Sequence, residues 1–155
     1  MPGKPCFCTF FLNGLWFGVD VEAVREVLRP HAITRVPLAP DAVAGLINLR
    51  GEIVTVIDLR RRLGLPPREA SAPAMHVVLE SDGEAISLLV DEAGEIVRAG
   101  QDSYEEAPES LSTEARQLVP GIHRLREGLL HVLALDVVCG GNTKETAKVA
   151  RRGRR

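Results

Sequence analysis

The side chains in this sequence with chemical reach are three cysteines, four histidines and several runs of carboxylates. Cys6-x-Cys8 with Cys139 is a sparse, odd set, which does not build a disulfide framework and suits a reducing compartment. These three are read as free thiols buried or half-buried in the fold, and no metal is expected. His31, His76, His123 and His131 fall at no metalloprotease spacing. His131 sits within an apolar strand, where a packed imidazole is the natural reading. Gly140-Gly141 is followed by neither the lysine nor the helix of a phosphate-binding loop, and no nucleophile elbow is present. The carboxylates of 80–95 and 102–109 lie on turns and read as solvated faces. No catalysis and no cofactor are expected.

The remaining candidate is Asn48-Leu49-Arg50-Gly51, where a strand reaches a turn. An arginine on a rigid β-scaffold offers five donors and a flat face that stacks, and such arginines often anchor protein interfaces. The elements that hold it read as short strands. Residues 7–13 are rich in strand formers, and Asn13-Gly14 favours a hairpin turn before Leu15–Val19. Asp20 reads as the cap of a helix carrying Val21, Val24 and Val27-Leu28, stopped by Pro30. A short strand is predicted over Ile33–Val36. Residues 45–51 and 52–57 form a strand pair, and Asp58 caps a short helix with Leu59 and Leu63. The Pro- and Ala-rich stretch 65–74 divides the chain. Beyond it come strands over 75–80 and 85–90, a segment 91–97 of mixed character, a polar loop over 100–118, and a strand pair over 119–125 and 129–135.

The two parts repeat one another. Val43-Ala44-Gly45-Leu46-Ile47-Asn48-Leu49-Arg50 aligns with Val119-Pro120-Gly121-Ile122-His123-Arg124-Leu125-Arg126, and Gly14–Asp20 aligns loosely with Gly83–Asp91. Two small β-units, about 7–64 and about 75–139, are therefore expected to share one core, since a unit of about 65 residues is marginal alone. With 45% apolar residues there is material for that core, but only 4% are aromatic, so Val, Leu, Ile and Ala must fill it.

In order and spacing, GVDVEAVREVL, GLINLRGEIVTVIDLRRRLGL and HVVLESDGEAISLLVDEAGEIV resemble the CheW-like domain, over residues 7–139. The resemblance implies a mainly β fold with short helices: two SH3-like five-stranded barrels around a shared hydrophobic core. It implies a non-catalytic adaptor that couples the cytoplasmic tip of a chemoreceptor to the regulatory domain of a CheA-type histidine kinase. The receptor-binding residues it implies are Val24, Glu26, Gly45 and Arg50. Gly45 would let a receptor helix approach the backbone, so Gly45→Asp is expected to fold yet lose coupling. Met75 and Val77 are expected on the kinase-binding surface. Two departures stand out: Thr55 replaces a proline usual in the family, and Gly140-Gly141 cuts short the C-terminal helix.

Charge is uneven. Lys144–Arg155 hold six basic side chains and one glutamate, while the rest of the chain carries a net charge of −7. Residues 140–155 are expected to form a basic, disordered tail. No apolar run approaches the ~18 residues of a membrane span, and no signal peptide is expected. A cytoplasmic protein recruited to membrane receptor arrays is the implied setting, without membrane insertion and without nucleic acid. Two alternatives remain: a partial or specialised adaptor that binds receptor but couples poorly to the kinase, or a nucleic-acid-binding protein using the basic tail.

Overall fold

The structure, a computed structural model, describes residues 3–81 and 83–140. The predicted tail beyond Gly140 lies outside the described residues. Four hairpins dominate: β1 (Cys6–Leu12) with β2 (Leu15–Asp20), β4 (Val43–Leu49) with β5 (Glu52–Asp58), β6 (Met75–Ser81) with β7 (Glu84–Val90), and β10 (Gly121–Leu125) with β11 (Gly128–Val132). The first turns at Asn13-Gly14, with φ of 51° and 77°, so the predicted two-residue hairpin is present.

Three further strands complete two mixed sheets. These are β3 (Val24–Leu28), β8 (Glu92–Arg98) and β9 (Tyr104–Glu106). One sheet has six strands in the order β8-β1-β2-β11-β10-β9, and the other five in the order β3-β6-β7-β5-β4. All neighbours are antiparallel except β2 with β11 and β5 with β7, which are parallel. The repeat is real in the topology, but its copies exchange strands. Each sheet takes the first hairpin of one copy and the third strand and second hairpin of the other. The sequence halves 7–64 and 75–139 therefore do not coincide with the two sheets.

The strand exchange explains the apolar runs. Strands at the joint are buried on both faces, so their side chains alternate between two cores rather than between core and water. Phe10, Leu12, Phe17 and Val19 of the six-stranded sheet meet Val77, Leu79, Ile86 and Leu88 of the five-stranded sheet in a shared core. Each such side chain contributes about 1.5–3 kcal/mol on burial. Ile47, Leu49, Val54, Val56 and Val78 fill the five-stranded barrel, and a smaller set around Phe7, Ala99 and Leu130 fills the other.

Several predicted elements change. The helix expected after Asp20 is a single 3-10 turn, Val21–Ala23, whose Glu22 amide donates to Asp20 Oδ1 at 3.0 Å. The cap is real, but Val24–Leu28 then extends and pairs with β6, because ladder hydrogen bonds and packing of Val24 and Leu28 outweigh a short helix. The strand expected over Ile33–Val36 is a single bridge, Thr34 to Leu46, with both hydrogen bonds at 2.8 Å. Of the mixed segment, Glu92–Arg98 is extended as β8. The polar segment 100–118 is more than a loop. It holds β9, which makes one sheet six-stranded, and α2 (Thr113–Leu118), capped by Ser112 Oγ accepting from Ala115 N at 3.1 Å. The short helix after Asp58 is present as α1 (Leu59–Arg62), and α3 (Leu135–Val138) closes the described chain.

Candidate docking surface

Leu49 pairs with Glu52, so Arg50-Gly51 is a two-residue turn, with φ of 52° and 87°. Both residues are left-handed, the geometry that matches strand twist and that Gly51 adopts freely. Arg50 adopts it at a cost, which Asn48 offsets: its Oδ1 accepts from Gly51 N at 2.8 Å. The turn thereby projects the Arg50 side chain outward, 66% exposed.

Arg50 donates through both terminal nitrogens to the two carboxylate oxygens of Glu26, forming a fork. The hydrogen bonds from Arg50 hold the Glu26 carboxyl below its usual range. Beside this pair, Arg25 Nη1 donates to Glu52 Oε2 at 2.8 Å, and Arg25 Nη2 lies 3.4 Å from Glu80 Oε1. Glu26 and Arg25 are on β3, at one edge of the five-stranded sheet, whereas Arg50 and Glu52 belong to the β4–β5 hairpin at the other. Together with the Thr34–Leu46 bridge, these pairs show that the sheet curls until its edges meet. The surface is a strip of alternating charge on a closed β-scaffold. It can dock a charged, shaped partner and has no group poised for bond chemistry.

The four predicted receptor-binding residues fare differently. Glu26 and Arg50 meet. Val24 lies two residues before Glu26 but packs half-buried against the shared core. Gly45 has φ of 146°, and a Cβ there would run into the Thr34 carbonyl and come within 2.7 Å of Ile33 Cγ2. The space beside the Gly45 backbone is thus filled by the chain itself, not left open to a partner helix. Gly121, its repeat mate, is overlain in the same way by the Tyr104 ring. Of the predicted kinase contacts, Met75 is half-buried, and Val77 is wholly buried in the shared core on β6, an interior strand. Val77 presents no surface, because β6 is covered on both faces.

A polar centre unseen in the sequence lies at Asp91, after β7. Its carboxylate takes Arg60 Nε at 2.9 Å, Arg68 Nη2 at 2.7 Å and Asn13 N at 2.8 Å. Burial alone would raise this carboxyl, but the hydrogen bonds from Arg60, the Asn13 amide and Arg68 outweigh it and bring the pKa down to about 2. The alignment of Asp20 with Asp91 was the available signal. His76 is also buried, with Nδ1 against Ser87 Oγ at 2.9 Å and Nε2 accepting from His31 N at 3.3 Å. Burial, with His31 nearby, lowers it to about 4. Cys6 and Cys8 are free thiols, the first half-buried and the second buried, and burial raises that of Cys8; Cys139 is buried too. Among the described residues no helix is long and apolar enough to cross a membrane.

Comparison with known proteins agrees with this architecture. The family model described as CheW-like domain matches residues 7–139. The chemotaxis protein CheW of Bacillus subtilis is 28% identical over 138 residues, covering 89% of this chain and 88% of that protein. The chemotaxis protein CheW of Treponema pallidum is 26% identical over 148 residues, covering 92% of this chain and 85% of that one. Among solved structures, the scaffolding protein TtCheW from Thermoanaerobacter tengcongensis superposes with a TM-score of 0.80 at 30% identity, covering 92% of this chain and 97% of its own. The chain belongs to the CheW-like domain family, whose members are non-catalytic scaffold and adaptor proteins.

Proposed function

We propose that this chain is an adaptor that couples a chemoreceptor to a CheA-type histidine kinase, in the cytoplasm and gathered at membrane receptor arrays. The observation that carries the reading is Arg50. It stands exposed on a turn that Asn48 braces and is oriented by Glu26, on a barrel whose edges are closed around it. A receptor helix with a carboxylate facing Arg50 would find a preset partner, and Glu26 would fix its register by charge. Val24 and Gly45 support this surface from beneath, the first by packing the base of β3 and the second by seating the Thr34 segment. For the kinase we assign the start of β6 at Met75, without the sealed Val77.

The test is co-purification of the tagged chain with extract of its own organism, followed by mass spectrometry, beside Arg50→Ala. Recovery of a chemoreceptor and a CheA-type kinase, with the receptor depleted in the variant, supports the reading. Recovery of the receptor without the kinase moves it to a partial adaptor. Recovery of neither from low-salt extract counts against it.

A further inference from the structure

The gap between β8 and the β10–β11 turn of the six-stranded barrel is a groove of about 650 Å³. Leu15, Trp16, Val97 and Leu129 form its apolar walls, and Leu15 and Leu129 are exposed to solvent there. Glu95 and Glu127, both exposed, also line it, and no lysine or arginine does among the described residues. Elsewhere on the surface Glu26, Glu52, Glu80, Asp91 and Glu105 already hold arginines of the body. The groove is the place that offers carboxylates beside uncovered apolar walls, a combination that marks a contact surface.

The segment that follows Gly140 has the complementary composition. Within 144–155 the apolar pair Val149-Ala150 precedes Arg151-Arg152 and Arg154-Arg155, while the rest of the chain carries a net charge of −7. The segment also starts within reach. β11 leaves the groove at Leu129, and only α3 separates it from Gly140. The rises of strand and helix place Gly140 no more than about 30 Å from Leu129. An extended chain covers about 3.3 Å per residue, so Arg152 can lie up to about 40 Å from Gly140.

We infer that the 144–155 segment docks in the groove of its own chain. Val149-Ala150 lies against the apolar walls, and Arg151 and Arg152 pair with Glu127 and Glu95. A tether this short holds the segment at about millimolar effective concentration, so a contact that would be weak between separate molecules still covers the groove. The segment thereby acts as an internal cap on the six-stranded barrel. This goes beyond the coupling of receptor to kinase and does not depend on it.

The chain's single tryptophan, Trp16, lines the groove and reports whether it is covered. In the full chain at low salt, Trp16 is expected to be protected from acrylamide quenching, equally at every protein concentration. Sodium chloride at about 1 M, which screens charges beyond about 3 Å, should remove that protection and shift the emission to the red. Arg151→Glu with Arg152→Glu should do the same at low salt. Adding Glu95→Arg and Glu127→Arg to that variant swaps the charges and should restore the protection. Quenching that ignores both salt and charge reversal overturns the inference, as does a charge swap that restores nothing. Protection that grows with protein concentration also overturns it, because the segment would then sit on a second copy. So does a reversal that leaves Trp16 unchanged and abolishes only binding to DNA or to anionic phospholipid vesicles, since the segment would then serve an outside polyanion.

Discussion

The guanidinium of Arg50 and the carboxylate of Glu26 form a fork that joins opposite edges of one five-stranded sheet. The two residues are 24 apart in sequence and meet only because the sheet curls into a barrel. Both groups are solvent-facing, so the pair adds little to folding and much to the shape offered to a partner.

Arg50→Ala and Glu26→Ala should therefore leave the thermal midpoint unchanged within about 2 °C. Each should weaken receptor binding by about tenfold to a hundredfold, and the double variant should be little worse than either single one. Titration of the receptor tip by calorimetry checks this. Fully additive losses would separate the two residues.

Gly45→Asp should fail by folding rather than by docking. The added Cβ meets the Thr34 carbonyl, and φ of 146° disfavours any side chain. A loss of about 2–4 kcal/mol in urea denaturation is expected. This replaces the expectation that the variant would fold and lose only coupling.

Asp91 ties α1, the 65–74 loop and the β1–β2 turn together. The unfolded carboxyl takes up a proton near 3.8, while the folded one resists until about 2. The resulting stability, about 2 kcal/mol, is fully present well above pH 4 and is lost as pH falls through 2. Asp91→Asn should remove it at pH 7 and flatten that part of the acid limb.

His76 acts in a higher window. The unfolded imidazole protonates near 6.5, but the buried one stays neutral to about 4. Stability should fall by up to about 3 kcal/mol as pH drops from 6.5 to 4, then level off. Equilibrium unfolding of the native chain and His76→Gln at several pH values checks it. The variant should lose the slope in that interval.

Thr55 offers a gain. Its hydroxyl is buried without a hydrogen-bond partner on β5. Thr55→Val, nearly isosteric, should raise stability by about 1 kcal/mol, read from the urea midpoint.

What the sequence made legible was local. Asn13-Gly14 is a turn that both residue types favour, Gly51 marks the turn after Asn48-Leu49-Arg50, and the repeat showed in the spacing of Gly45 and Gly121. Arg50 and Glu26 were both singled out, and they meet. The exchange of strands between copies was hidden, because hairpin signals do not say which hairpins become neighbours. Val24–Leu28 read as helix because Val24 and Leu28, four apart, suit either period, and only pairing with β6 decides. Val77 seemed available because a strand buried on both faces has no polar alternation to mark its inner side. The alignment with Asp20 pointed to Asp91, but its partners were hidden because Asn13 lies 78 residues away and Arg60 31.

Kinase autophosphorylation measured with receptor-bearing membranes, with and without this protein, tests the coupling claim most directly. The account predicts that receptor stimulus changes kinase activity only when the protein is present, and that Arg50→Ala abolishes the change while remaining folded. Kinase activity that ignores the native protein, or that responds equally with Arg50→Ala, would contradict it.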